Sequence, residues 1–476
     1  MKSAPVRMLV IYCALILACA QGFANIRLPQ VLSDNMVLQR NSKTHLWGWA
    51  APAEKILITT SWNKHTDTVI ATGNATWTIQ IPTPEAGGPF TITFAGQNTI
   101  ELKNILIGEV WVCSGQSNME WSTFQNNKDI VDELPKSAND MIRLFQVPKS
   151  TSDNIQDDLQ GSWAVCGPES LKGFSAVGYF YGKQLAAQLK VPIGLINTSW
   201  GGTPAEVWTP APSVNGDEAL RKASLKIGDA PWWPTKPGKS YNAMVAPLTK
   251  YDIAGAIWYQ GESNVTTADT YQLLLTNMIG SWRQAWGKEF PFYLVQIAPF
   301  SYGNKNVGAL LREAQTNTLG YAKTGMVVIT DLVDNVKDIH PANKHTVGER
   351  LAAYALADTY KQTGISYHSP MYKKMEVKGN KATLTFDYAE NGFKLNGAKA
   401  TEWFVAGEDK VFYPAEAKPG KNNTIVVSAK EVKVPAAVRF GFSNEAMGNI
   451  FSKEGLPINP FRTDNWEVDT TAVESK

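Results

Sequence analysis

The chain has 476 residues, 44% of them apolar, so it is too long for one hydrophobic core and well supplied to fill two or three. Its 45 Lys and Arg nearly balance 43 Asp and Glu, giving a formal charge of +2 and excluding the strongly basic surface of a nucleic-acid binder.

The chain opens with "MKSAPVRMLVIYCALILACAQGFA", a basic start, a short apolar run and small residues at Gly22 and Ala24. This pattern predicts a secretory signal over residues 1–24, cut after Ala24, and a secreted or periplasmic mature protein. The uncharged run Met8–Ala20 is too short to cross a bilayer core of about 30 Å as a helix, and no later stretch is long enough to span. Ile16–Cys19 forms an imperfect lipobox, which leaves a lipid anchor at Cys19 as the alternative. Loss of residues 1–24 removes Lys2, Arg7, Cys13 and Cys19 and no acid, so the mature chain is formally neutral. Cys113 and Cys166 remain, either bridged in an oxidising compartment or buried as small apolar groups.

From residue 25 to 104, runs such as "THLWGWA", "KILITTSW", "ATWTIQIP" and "PFTITFAG" alternate apolar and polar residues between Gly, Pro and Asn punctuation. This pattern predicts an N-terminal β-sandwich. From 105 to 366 buried-looking strands alternate with amphipathic helices, which predicts an α/β domain on a parallel sheet. The expected strands are Ile105–Val112, Val191–Asn197, Ile253–Tyr259, Phe292–Ile297 and Met326–Thr330. Helices are expected in "SAVGYFYGKQLAAQLK", where Val177, Tyr181, Leu185 and Leu189 share a face, and in "NKHTVGERLAAYALADTY". From 367 to 476, "KATLTFDYA", "ATEWFVAG", "NTIVVSA" and "AAVRFGF" return to strand patterns, a C-terminal β-rich module whose irregular end is expected to pack back on the core.

In an open parallel sheet, residues from distant parts of the chain converge at the carboxyl ends of the strands. Those ends carry Gly115-Gln-Ser117-Asn118, then "TSWGGTPAEVW", "QGESN" and "DLVDNVKDIHPANKH". Together they supply a serine, a glycine pair, carboxamides and a histidine, the inventory that acyl transfer from an ester requires. A hydroxyl becomes nucleophilic when an imidazole takes its proton, and the resulting oxyanion needs preorganised N–H donors. Of the five histidines, only His340 and His345 lie near a strand end of the α/β region. His340 precedes a proline in a loop and is the candidate base, whereas His345 falls in the next helix. Their spacing of five, with no cysteine nearby, does not place two ligands on one helical face, so no metal is expected. Ser117 competes with Ser199 and Ser263, and none of the three lies in the Gly-x-Ser-x-Gly elbow.

Five blocks in order, "GEVWVCSGQSNMEW", "FSAVGYFYG", "NTSWGGTPAEVW", "IWYQGESN" and "DIHPANKHTVGERLA", span Ile107 to about Ala353. Through them the chain resembles the sialate O-acetylesterases and related carbohydrate acetylesterases of the SGNH hydrolase superfamily. The resemblance implies a flavodoxin-like α/β core flanked by the two β modules. It implies Ser117 as nucleophile and His340 as general base. The oxyanion donors would be the Ser117 amide, a glycine amide of Gly201 or Gly202, and a carboxamide, Gln260 in preference to Asn264. The superfamily's usual acid stands three residues before the histidine, but position 337 is Lys. Asp338 is the expected substitute, with Asp334 more distant and a backbone carbonyl as the alternative.

The implied activity is hydrolysis of O-acetyl esters on sugars through an acetyl-enzyme, with an acetylated carbohydrate as partner and no cofactor. Alternatives are an acetylxylan or hemicellulose esterase, and a non-catalytic carbohydrate-binding protein on an esterase scaffold. Trp200, Trp232 and Trp233, the last two within "APWWPTKPG", are the candidate sugar platform, while Trp208 and Trp258 also lie in or near the core. Arg283, Arg312 and Arg350 are candidates for binding a sialic acid carboxylate.

Overall fold

A computed structural model of the chain describes residues 25–473. The expected signal segment and its cleavage lie outside these residues. Among those described, no helix is long and apolar enough to cross a membrane.

The centre is a mostly parallel sheet. Its strands run in the order Thr324–Val327, Phe292–Val295, Gly255–Tyr259, Thr99–Gly115, Ile193–Ser199, Asn139–Gln146 and Trp163–Cys166, and only the last is antiparallel to its neighbour. Successive side chains of a strand point to opposite faces, and this divides the core in two. Val110, Val112, Ala256, Trp258 and Leu294 face one way and pack with the helices Ala268–Trp286 and Val307–Asn317. Trp111, Cys113, Ile257, Tyr259 and Tyr293 face the other way and pack with Ala176–Leu189 and Lys344–Tyr354. Being covered on both faces explains why these strands read as continuous apolar runs.

The five expected core strands all occur. The strands Asn139–Gln146 and Trp163–Cys166 at one side of the sheet went unpredicted, the first because "NDMIRLFQ" holds only a four-residue buried run between polar ends and the second because it is only four residues long. The strand Thr99–Gly115 runs without a break through the boundary expected between 104 and 105. Its first half pairs with Gly87–Ala95 of the N-terminal module, and its second half lies at the centre of the α/β sheet. The N-terminal strands form two layers, Lys43–Trp49 with Thr76–Pro82 and Lys55–Thr60 with its neighbours, whose core is continuous with that of the α/β sheet.

The C-terminal strands form two four-stranded sheets and a two-stranded pair, Phe393–Leu395 with Ile450–Ser452, around their own core, which includes Leu384, Phe386, Trp403 and Val427. Asn459 bonds Gln296, Arg462 pairs with Glu313, and Asp469 to Ala472 lies along Asn304 and Lys305, so the end of the chain returns to the α/β domain. Cys113 and Cys166 are both buried free thiols. Burial raises the pKa of both, that of Cys166 to about 12, so neither is a reactive thiolate.

Candidate active site

The central strand ends at Gly115, where φ is +139° and a Cβ would stand 2.2 Å from the Tyr259 carbonyl oxygen. Glycine lets the chain leave the sheet there and turn into the short helix Ser117–Glu120. Buried Gln116 accepts from the amides of Gly261 and Ser263 at 3.1 and 3.4 Å, tying this turn to the loop after Tyr259.

The fourth loop brings His340 to Ser117, with Nε2 2.9 Å from Oγ. The imidazole lies flat on Trp121, ring centres 4.5 Å apart. Its Nδ1 is 3.6 Å from Asp338 Oδ1, and the same oxygen accepts the His340 backbone N–H at 2.9 Å. Asp338 is therefore an electrostatic neighbour of the ring, just beyond hydrogen-bond reach of Nδ1, and its side chain is 56% exposed. Burial, and then the nearby Lys344 ammonium, lower the His340 pKa below its ordinary value against the weaker upward pull of Asp338. The ring is thus disposed to be neutral, the form that accepts a proton.

The competing residues stand elsewhere. Ser263 Oγ donates to the Gly202 carbonyl and Ser199 Oγ to Asn197. His345 pairs with Glu349, one turn along its helix. Among the described residues no group of three or more His, Cys, Asp and Glu side chains is arranged to hold a metal ion.

The turn Trp200–Thr203 abuts Ser117: a Cβ on Gly201 would lie 3.3 Å from that of Ser117. The Gly201 amide is taken by the Glu120 carboxylate. The amides of Ser117 and Gly202 donate to no protein group among the described residues. Gly202, at φ +80°, packs under Trp233, whose ring leaves no room for a side chain.

The carboxamides of Gln260 and Asn264 depart from the expectation placed on them. Gln260 is fully buried; its amide donates to Asn264 at 2.8 Å and to the Thr203 carbonyl at 3.3 Å, and its oxygen accepts from Tyr271. Asn264 is equally buried and donates to Glu206 and Thr267. Both therefore spend their N–H groups inside the protein, bracing the loops that surround Ser117.

Trp208 and Trp258 are core residues, whereas Trp232 is 78% exposed. Trp200 donates to the Trp232 carbonyl, and with Thr151, Asp229, Trp233 and Lys239 these tryptophans line a groove of about 400 Å³ beside the Gly201–Gly202 turn. The three candidate arginines are committed elsewhere. Arg283 bonds the Phe290 and Lys323 carbonyls, Arg312 is fully buried against Ser443 and Asn444, and Arg350 pairs with Asp331.

Sequence reasoning assigned no role to Trp121, Glu120, Asn118 or Lys344, all of which touch this site. Their signal was available, since three lie within four residues after Ser117 and the fourth lies four residues beyond His340.

A family model described as carbohydrate esterase, sialic acid-specific acetylesterase matches residues 107–357, which include all four loops. The human sialate O-acetylesterase is 30% identical over 404 residues, covering 76% of each chain, and that of Mus musculus is 29% identical over 428 residues, covering 76% of this chain and 79% of its own. A crystal structure of a carbohydrate acetylesterase from Xanthomonas citri superposes with a TM-score of 0.85 at 36% identity, over 93% of this chain and all of the other. Fold and relatives together define a carboxylic ester hydrolase of the carbohydrate esterase class. Within that class, the chain belongs to the sialic acid-specific acetylesterase family.

Proposed function

We propose that the protein removes O-acetyl groups from carbohydrate by a serine mechanism, and the observation that carries this reading is the 2.9 Å approach of His340 Nε2 to Ser117 Oγ. His340 takes the Ser117 proton as Oγ attacks the acetyl carbonyl. The carbonyl π electrons move to oxygen, and the oxyanion accepts from the free amides of Ser117 and Gly202. Collapse expels the sugar oxygen, which takes the proton from His340 and leaves acetyl-Ser117. Water, deprotonated by His340, then attacks the ester, and collapse returns the proton from His340 to Oγ as acetic acid departs and ionises to acetate. Asp338 stabilises the transient imidazolium through space.

The fold reading within this proposal is SGNH-like. If the outer strand Asn139–Gln146 is left aside, the parallel strands follow the flavodoxin-like order 2-1-3-4-5, with Ser117 at the carboxyl end of strand 1, the switch point. The signal-like residues 1–24 support action outside the cytoplasm.

The decisive experiment pairs Ser117→Ala with wild type on p-nitrophenyl acetate and in thermal melting. Loss of hydrolysis with an unchanged melt is expected; retained hydrolysis overturns the mechanism. Labelling of the wild type by a fluorophosphonate separates an esterase from a binding protein on the same scaffold. For the sugar, Arg283, Arg312 and Arg350 are committed elsewhere, so a sialic acid carboxylate would be met by other cations, of which Lys236 and Lys239 line the groove. Acetate release from O-acetylated sialic acid, measured beside acetylated xylan, decides between the two.

A further inference from the structure

Behind Ser117 and His340 lies a polar chain that the acyl-transfer scheme leaves unused. Lys344 opens the helix Lys344–Tyr354 and is fully buried, a rare position for an ammonium. Its Nζ donates to Asn118 Oδ1 at 2.5 Å and stands 5.3 Å from the ring centres of both Trp121 and Tyr259. Asn118, also buried, donates to Glu262 Oε1 at 2.6 Å and to the Ile339 carbonyl at 3.0 Å. Glu262 is buried in turn, and its second oxygen has no hydrogen-bond partner among the described residues. One carboxamide thus joins the residue after Ser117, the residue before His340 and the loop after Tyr259.

We propose that Lys344 is a positioning residue for acyl transfer: through Asn118 it locks the loop of His340 onto the turn of Ser117. The inference rests on the reading of Ser117 and His340 as nucleophile and base.

Other bonds already hold the backbone further along this loop. Asn127 donates to the Ala342 carbonyl, and Asp129 accepts from the amides of Lys344 and His345. The Asn118 bond acts next to His340 itself, at Ile339. Without Lys344 the Asn118 oxygen loses its donor, and a carboxamide free to rotate no longer holds both of its acceptors. The charged groups facing His340 are Lys344 and Asp338; those facing Lys344 are Glu262, Asp338 and Asp129. Burial pushes the Lys344 pKa down to about 7 despite Glu262, while His340 titrates below its ordinary value of 6.5. The ammonium form of Lys344 opposes the imidazolium.

The test compares Lys344→Met and Lys344→Arg with wild type by thermal melting and by pH profiles of aryl acetate hydrolysis. Lys344→Met is expected to lose about 10- to 100-fold in kcat with KM within about threefold, and its acid limb of kcat/KM moves to higher pH because the opposing charge is gone. Lys344→Arg recovers part of both. A folded Lys344→Met with wild-type kcat and an unmoved limb overturns the proposal. If Lys344→Met does not melt cooperatively, Asn118→Ala takes its place, with reduced kcat expected and an unchanged limb, since the ammonium stays; wild-type kcat there also overturns it. If neither variant folds, Lys344 serves folding and the positioning role is refuted. Ser117→Ala separates the two layers: if it stays active the underlying reading fails, and if it is inactive while Lys344→Met behaves as wild type only this inference fails.

Discussion

Trp121 lies flat against His340, with 4.5 Å between ring centres and 22° between planes. The indole covers one face of the imidazole and fixes its plane while Nε2 points at the Ser117 hydroxyl. An aromatic pair of this kind is worth about 0.5–1.5 kcal/mol beyond the area it buries. Trp121→Ala is therefore expected to lower kcat for an aryl acetate by about 2- to 10-fold, and Trp121→Phe to retain most of it. Steady-state kinetics on the two variants, with melting curves to check the fold, decide the point.

Acid pH is expected to inactivate the enzyme through His340, which works as a base only when neutral. Its pKa is lowered by burial and by Lys344, so the acid limb of kcat/KM lies below pH 6.5. Asp338 pulls in the opposite direction. Asp338→Asn therefore moves the limb to lower pH. The accompanying fall in kcat is expected to be about 10- to 100-fold, less than the roughly 10⁴-fold loss for a buried, hydrogen-bonded triad aspartate, because Asp338 is exposed and 3.6 Å from Nδ1. A 10⁴-fold loss in the pH-rate comparison contradicts the through-space role.

Gln260 separates an oxyanion donor from a brace. Removal of an oxyanion donor costs about 10²–10³ in kcat. With both N–H groups bonded inside the protein, Gln260→Ala should instead lower stability by about 1–3 kcal/mol, by removing its side-chain bonds to Asn264, Thr203 and Tyr271, and lower kcat less than tenfold. Denaturant unfolding read beside kcat shows which loss is larger.

Trp232 is exposed and outside the reacting group, so Trp232→Ala should leave stability and p-nitrophenyl acetate hydrolysis within about twofold of wild type. On an acetylated oligosaccharide KM should rise about 3- to 10-fold, the range of one sugar–aromatic contact. Equal KM values on the glycan remove Trp232 from the binding groove.

Much of this molecule was legible before folding, and each legible part depended on local pattern. The five core strands stood out because a strand covered on both faces is a continuous apolar run, and Ser117, Gly202 and His340 stood out because polar or small residues interrupt the chain just after such runs. The strand Asn139–Gln146 escaped because its buried run is short, and the boundary at 104 dissolved because Thr99–Gly115 serves two sheets at once. Gln260 and Asn264 have the right chemistry at the right place in the chain, but the direction of a carboxamide is set by its partners, among them Thr203 and Glu206, which are distant from the loop's own residues, and Tyr271 in the following helix.

From its amino-acid order alone the protein was destined for two β modules around an α/β core, with a hydroxyl and an imidazole on loops of that core, since periodicity and turn residues act over a few neighbours. Tertiary packing decided the rest: that Nε2 of His340 meets Oγ of Ser117 across 223 positions, that Trp121 backs the ring, and that Lys344 is buried against Asn118. Those outcomes depend on which groups lose water together, and desolvation is a property of the assembled interior and not of any one segment.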